Sequence, residues 1–240
     1  MTHEDPEPRT GPVLAVFAHP DDMEIAVGGT LTKWAEAGRD VHLLVLTNGD
    51  RGSQDPGLDR TELARTRLRE TEAAGEAMGL ASVRVGAIPD GELENTAEIR
   101  EPVVRRIREV RAETVVSLDP TAVFFENRYY NHSDHRTAGW VALDACFPGS
   151  GNPHFFAEQL HEGLGTQDVQ DIWLGWTNEP NHQEDITGFL ARKIDALARH
   201  ESQLSEGIRF FEDFLGRDAT GAGAKIGVEH AEEFRVLDLS

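Results

Sequence analysis

The chain has 240 residues, 39% of them apolar, one cysteine, and a net charge of −20 from 23 basic and 43 acidic side chains. That length and apolar content suffice for a buried core and exclude a wholly disordered chain. The charge excludes a basic nucleic-acid footprint and opposes an anionic membrane surface, and a lone Cys146 excludes a disulfide framework or a multi-cysteine zinc site. No apolar run reaches the length of a membrane span. Met1 to Pro12 lacks the basic-then-apolar profile of a signal peptide. The expectation is a cytoplasmic protein with a flexible tail over residues 1–12 and one domain over 13–240.

Val13 to Ala18 is a short apolar run and reads as a strand buried on both faces. Gly28 to Gly38 reads as a helix with Leu31, Trp34 and Ala35 on one face and Gly38 as its stop. Val41 to Thr47 is the next buried strand. A Gly/Asp-rich loop follows over Asn48 to Asp59. Arg60 to Gly79 is a long charged helix, and Val83 to Ala87 a third strand. Ala97 to Ala112 is a basic helix with Ile99, Val103, Ile107 and Val110 at helical spacing. Thr114 to Leu118 is a fourth strand. After a long loop come a helix over Arg136 to Phe147, a strand over Val169 to Trp176 and an amphipathic helix over Ile186 to His200. Gly216 to Gly227 reads as a glycine-rich loop, and Glu233 to Leu237 as a last strand. Strands alternating with helices imply βαβ units and right-handed crossovers. The expected fold class is α/β: a Rossmann-like three-layer sandwich with a mainly parallel central sheet, in a single domain with C-terminal additions.

Two polar clusters follow strands. His19-Pro20-Asp21-Asp22-Met23-Glu24 comes directly after the first strand, and His132-Ser133-Asp134-His135 comes after the fourth. Ligands of open α/β sheets bind beyond the carboxyl ends of strands, where the strand order reverses. With an order 3-2-1-4, strands one and four flank that switch, and both clusters meet over one crevice. Three ligands drawn from His and Asp/Glu leave a zinc ion an open position for water. The metal lowers the pKa of that water toward ~7 and polarises a carbonyl. A carboxylate that is not a ligand can take the water's proton. Two adjacent aspartates supply both needs.

Plainer readings stand beside these. Asp21 and Asp22 could merely cap the next helix, although the second cluster after the right strand weighs against that. His42 lies in an apolar strand and reads as structural. His154, His161, His182 and His230 read as surface residues, and Cys146 as a small buried hydrophobe. Trp34, Trp140, Trp173 and Trp176 read as core. Tyr129 and Tyr130 read equally as packing residues or as rim contacts to substrate. Gly28-Gly29 matches neither phosphate-loop pattern and reads as allowing a close approach of helix and strand.

The stretches AHPDDMEIAVGGTL (residues 18–31) and YYNHSDHRTAG (residues 129–139) resemble the AHPDDE and HPDHxxxG signatures of the LmbE-like family. That family is also called PIG-L, or N-acetylglucosaminyl-phosphatidylinositol de-N-acetylase-like. Weaker likenesses are TNGDRGS, Arg67 with Glu70, Pro89-Asp90-Gly91, and HESQ at His200 to Gln203. The resemblance covers about residues 13–205. It implies that His19, Asp22 and His135 are zinc ligands, with iron(II) as the alternative metal. It implies Asp21 as general base, His132 as the histidine that stabilises the oxyanion or protonates the leaving amine, and Asp134 as a carboxylate that orients a histidine. It also suggests Arg51, Asp90 and Tyr130 as substrate contacts.

The implied activity is metal-dependent hydrolysis of the amide of an N-acetylated amino sugar or its glycoside. An amidase of sugar–thiol conjugates and an antibiotic-tailoring deacetylase are alternatives within that chemistry. A non-catalytic sugar- or nucleotide-binding module and a phosphate-ester hydrolase are alternatives from other classes. The implied partner is a small N-acetylated sugar, with no nucleic acid and no membrane, and a homo-oligomer is left open. Two positions depart from the family pattern. Met23 stands where glutamate is usual and Ser133 where proline is usual; neither is a proposed ligand or base.

Overall fold

The computed structural model describes residues 9–204 and 207–239. The first eight positions of the expected tail lie outside them. The strands are β1 (Val13–Phe17), β2 (Val41–Thr47), β3 (Ser82–Ile88), β4 (Thr114–Leu118), β5 (Phe124–Phe125), β6 (Tyr129–Tyr130), β7 (Asp171–Gly175), β8 (His182–Asp185) and β9 (Ala231–Asp238). The helices are α1 (Asp22–Glu36), α2 (Arg60–Met78), α3 (Ala97–Val110), α4 (Ser133–Asp144), α5 (Ala157–His161), α6 (Leu190–Leu197) and α7 (Arg209–Ile226).

The main sheet runs β3-β2-β1-β4-β7-β9-β8. Its first five strands are parallel, and β9 is antiparallel to both its neighbours. The expected order 3-2-1-4 is therefore observed. Successive side chains of a strand point to opposite faces, and β1 serves two cores this way. Leu14 and Val16 pack with Val103, Ile107 and Val141 from α3 and α4. Val13, Ala15 and Phe17 pack with Leu31, Trp34, Met78 and Ala196 from α1, α2 and α6. Helices thus cover both faces, and β1 and β4 are buried along their whole length. This is the three-layer α/β sandwich, in one domain. Among the described residues no helix is long and apolar enough to cross a membrane.

Several boundaries differ from the expectations. α1 begins at Asp22, not Gly28, but it kinks at Val27 (φ −142°, ψ 15°). Its second segment restarts where the glycines had placed the helix. The Gly29 and Thr30 N–H groups donate to the Glu232 carboxylate at 2.9 and 2.8 Å, and Lys193 Nζ neutralises that carboxylate at 2.6 Å. A Cβ on Gly29 would lie 2.7 Å from Ile186 Cδ1 and 3.1 Å from Glu232 Oε1, so a side chain there would push on both neighbours.

The stretch 216–227, expected as a loop, belongs to helix α7, which Gly227 ends in a left-handed conformation. Leu215, Ala219, Ala222 and Gly223 form its buried stripe. A Cβ on Gly223 would sit 2.7 Å from the Val228 carbonyl, so close packing overrides glycine's poor helix propensity. α6 is shorter than expected because residues 186–189 form a turn, closed by Phe189 N–H to the Ile186 carbonyl at 2.8 Å. Trp34 and Trp173 are core, but Trp140 is exposed and Trp176 only half-buried. Residues 9–12 are anchored rather than frayed. Arg9 pairs with Asp171 at 3.2 Å and Asp238 at 3.1 Å, and the Pro12 carbonyl accepts the Glu113 N–H at 2.9 Å.

Candidate metal centre

β1 and β4 lie side by side, so the segments leaving their carboxyl ends converge. Asp21 occupies the cap position of α1 with a left-handed backbone (φ 90°), and its side chain makes no cap hydrogen bond. Helix capping therefore does not account for it. Asp22 turns back: its Oδ2 accepts the His19 N–H at 2.8 Å and lies 3.4 Å from His19 Nδ1, while its Oδ1 lies 3.0 Å from His135 Nε2. One carboxylate thus bridges two imidazoles brought from different strands.

The His135 ring has a defined orientation. Its Nδ1 donates to Asn131 Oδ1 at 2.9 Å, and the Asn131 amide in turn donates to the Ala122 carbonyl at 2.9 Å. His135 Nε2 is left with a lone pair aimed at a carboxylate. Two acceptors at this distance need a proton or a cation between them. Zinc bonded at about 2.0–2.1 Å in tetrahedral geometry sets its donors about 3.3 Å apart, which the two Asp22 contacts match. The spacing of each pair, Asp22 with His19 and Asp22 with His135, thus suits a shared divalent metal. Among the described residues, the groups of three whose ligand atoms all lie within 4.8 Å of one another are His19, His132 and His135, and His19, Asp90 and Asp134; Asp22 belongs to neither and reaches the two histidines through different oxygens.

Carboxylates surround His19. Its Nε2 is 3.1 Å from Asp90 Oδ1 and 3.3 Å from Asp134 Oδ2. Burial opposes the imidazolium, but the charge of Asp22 and the contacts with Asp134 and Asp90 push its pKa up to about 12. Asp22 itself is held well below the usual carboxylate range, the two histidines outweighing its burial. Burial also raises Asp21, against the opposing charge of Arg67, to about 6. His132 accepts the Asp134 N–H on Nδ1 at 3.2 Å, which leaves its proton on Nε2. Burial and the charges of His19 and His135 lower its pKa and favour the neutral ring. Its centroid lies 4.9 Å from that of His19 and 5.4 Å from that of His135.

The structure thus brings His19, Asp22, Asp90, His132, Asp134 and His135 together, with Asp21 at the rim of the cluster. It does not bring Arg51 or Tyr130 in as expected. Arg51 donates to the Asp90 carbonyl at 2.6 Å and pairs with Glu92, so it is spent on the loop that carries Asp90. Tyr130 points outward, its hydroxyl accepting from Arg136 at 2.9 Å. Its neighbour Tyr129 faces inward instead, where burial and the Asp22 charge push its phenol's pKa up. Strand alternation makes one of this pair inward, and only the hairpin register tells which.

The weaker likenesses converge behind Asp21. Arg67 is buried, donates to the Gly49 carbonyl at 3.1 Å and lies 3.2 Å from Asp21 Oδ2. Glu70 accepts the Ser202 N–H and hydroxyl at 2.8 and 2.7 Å. The neighbouring His200 is fully buried, with Nε2 3.2 Å from Glu24. The two departures from the family pattern are explained locally. Met23 packs in the core, while Glu24 meets His200. Ser133 is the first helical residue after the His132 cap, a position that also suits proline.

A Rossmann-like sheet with a His/Asp cluster at its switch point defines an α/β protein built around a candidate metal centre. Residues 14–146 match the PIG-L family, described as GlcNAc-PI de-N-acetylase, and the chain belongs to that family. Diacetylchitobiose deacetylase of Thermococcus kodakarensis is 34% identical over 94% of this chain and 82% of its own length. The 1D-myo-inositol 2-acetamido-2-deoxy-alpha-D-glucopyranoside deacetylase of Rhodococcus erythropolis is 31% identical over 80% of this chain and 81% of its own. The solved structure of N,N'-diacetylchitobiose deacetylase from Pyrococcus horikoshii matches with a TM-score of 0.87 at 31% identity, covering 95% of this chain and 84% of that one.

Proposed function

We propose that this chain is a metal-dependent N-deacetylase that hydrolyses the amide of an N-acetylated amino sugar or its glycoside to acetate and a free amine. The observation that carries the reading is the Asp22 carboxylate bridging His19 and His135, with Asp21 next to it in the chain. His19, Asp22 and His135 would hold zinc, with iron(II) as the alternative, and the bound ion supplies Lewis-acid polarisation and a more acidic water.

Asp21 accepts the water's proton on its carboxylate, help worth roughly 10²–10⁴ in rate. Its pKa near 6 suits a base working around neutrality. Arg67 holds that carboxylate in place from 3.2 Å. His132 offers its Nε2–H to the developing oxyanion or to the leaving nitrogen. Asp134 serves both histidines, with Oδ2 set against His19 and its N–H on His132 Nδ1. Asp90 is the substrate contact retained from the sequence. The net charge of −20 supports a small uncharged substrate over nucleic acid. A single buried cysteine accords with a cytoplasmic setting.

Acetate and amine release from N-acetylglucosamine derivatives tests the reading, with protein stripped by chelator and reloaded with zinc or iron(II). Hydrolysis lost on stripping and restored on reloading is expected. A fully loaded protein that releases no acetate from any of them overturns it.

A further inference from the structure

Helix α4 buries one stripe and exposes another. Asp134, His135, Ala138, Val141 and Ala142 are buried. Arg136, Trp140 and Asp144 stand on the other side, four residues apart and so aligned along one helix face. Trp140, in the middle, is 45% exposed. The apolar surface continues past both ends of the helix. Phe147, just beyond its last residue, is 80% exposed. Before its first residue, the β5–β6 hairpin pairs Phe124 with Tyr130 and Phe125 with Tyr129, and alternation sends one pair each way. Phe125 and Tyr129 face Trp176, whose ring lies 5.7 Å from that of His135. Phe124 and Tyr130 face out, 62% and 61% exposed, with centroids 5.8 Å apart.

Scattered apolar side chains on a surface are ordinary, but a contiguous patch is not. Aromatic side chains bury about 150–250 Å² each, so at these exposures the four rings present on the order of 500 Å². A standard interface takes about 800 Å² from each partner, roughly 56–65% of it apolar. The four rings alone supply that apolar share.

The charges indicate what covers the patch. Arg136 donates to the Tyr130 hydroxyl at 2.9 Å and lies 5.3 Å from that ring's centroid, and among the described residues its charge meets no carboxylate. Asp144 is partly exposed and accepts from Asn95 and Arg100, both at 2.9 Å and both on Oδ2, which leaves Oδ1 for a further donor. The cation and the anion are equally spaced about Trp140. We propose that two copies of this chain pair through this face, with α4 antiparallel to its own copy about a two-fold axis at Trp140. Such a contact uses one self-complementary surface twice, and a residue before the axis meets the one equally far after it. Arg136 then faces the partner's Asp144, and Asp144 the partner's Arg136. Phe147 comes to the amino end of the partner helix, where the hairpin stands. The net charge of −20 opposes association, but salt at 0.15 M screens it beyond about 8 Å, whereas the rings and the two charge pairs act at contact. The pairing does not depend on the deacetylase reading.

Sedimentation velocity of the full chain at micromolar concentration is expected to show a dimer. Trp140→Glu should raise the dimer Kd about thirtyfold or more, as loss of a central hot-spot residue does. Arg136→Asp and Asp144→Arg each set like charges opposite one another at both contacts, and each should leave the chain monomeric. Mixed in equal amounts, the two variants set opposite charges at both contacts, and the dimer should return. Circular dichroism checks that each variant is folded; where a charge variant is not, Trp140→Glu decides. A monomeric wild type, a dimer that Trp140→Glu leaves as tight, charge variants that stay dimeric, or a mixture of folded variants that stays monomeric overturns the pairing. Should the wild type form a larger assembly, Trp140→Glu is expected to halve its mass, and an unaltered mass overturns the proposal.

Discussion

The two ends of the sheet bury charge in opposite ways. At the amino ends of the strands, Arg9, Lys33, Arg39, Asp171 and Glu184 line a cavity of about 360 Å³ with Trp34 and Trp173. Each cation there has an acceptor. Arg9 meets Asp171 at 3.2 Å, Lys33 meets Glu184 at 2.8 Å, and Arg39 donates to the Gly11 carbonyl and the Thr114 hydroxyl at 3.0 and 2.8 Å. At the carboxyl ends, Asp22, Asp90 and Asp134 converge on His19. Behind them His200 Nε2 faces the buried Glu24 carboxylate at 3.2 Å. Matched charges hold a fold together. Acceptors aimed at one another, and pKa values driven far from their ordinary range, mark the place where a proton or a cation is handled.

The largest effect that would test this contrast lies in two adjacent aspartates. Asp21→Asn keeps the shape but cannot take a proton, so turnover should fall by roughly 10²–10⁴ with metal content intact. Asp22→Asn removes the bridging charge, so metal content should fall and excess zinc should restore part of the activity. Metal analysis and turnover across a zinc titration separate the two. Near wild-type turnover in Asp21→Asn would remove the base from the mechanism.

Next in size is the division of labour among the histidines. His132→Ala should retain the metal and lose roughly 10²–10³ in kcat, the usual cost of one oxyanion donor. His135→Ala should lose metal. The ligand atoms of His132 lie within reach of those of His19 and His135. Loss of metal from His132→Ala would therefore make it a ligand and leave the oxyanion without its proposed donor.

Legibility in the sequence followed the same divide. The parallel sheet and its order were readable because β1, β2 and β4 are near-continuous apolar runs, the pattern of strands covered on both faces. Residues contiguous with those strands, His19 to Asp22 and His132 to His135, were readable because a strand end dictates where they go. Partners that arrive from a distance carried no such signal. Trp176 looked like core, and its place beside His135 depends on β7 pairing with β4. Arg51 looked like a substrate contact because nothing in the chain announces that the Asp90 loop folds onto it. The glycines of α7 looked like a loop because their close contact with the Val228 and Glu229 carbonyls is tertiary.

A smaller effect is set by the protons that the site holds without metal. The surrounding carboxylates raise the pKa of His19 to about 12, so a ligand nitrogen must lose its proton before it can bind. Zinc loading should therefore release protons, and affinity should weaken as pH falls, by about tenfold per unit for each proton displaced. Titration calorimetry in buffers of different ionisation enthalpy measures this directly. A pH-independent affinity with no proton release would mean that the carboxylates do not hold His19 charged.

The smallest effect belongs to the matched end. Asp171 is buried and accepts from Arg9 Nε and from Trp173 Nε1, both at 3.2 Å. Asp171→Asn keeps the volume and one acceptor oxygen, so the tryptophan bond can survive, but the charge facing Arg9 is gone. Asp238, 3.1 Å from Arg9 on the exposed side, still offsets that cation. The cost should be about 1 kcal/mol, near the net worth of one such bond, and the Tm should drop by about 2–4 °C in a domain of this size. Metal content and kcat should stay at wild-type values, because Asp171 starts β7 at the end of the sheet opposite the histidines. If Asp171→Asn impaired turnover as Asp22→Asn does, the two ends would not differ in kind, and the converging carboxylates around His19 would lose their value as the marker of the site.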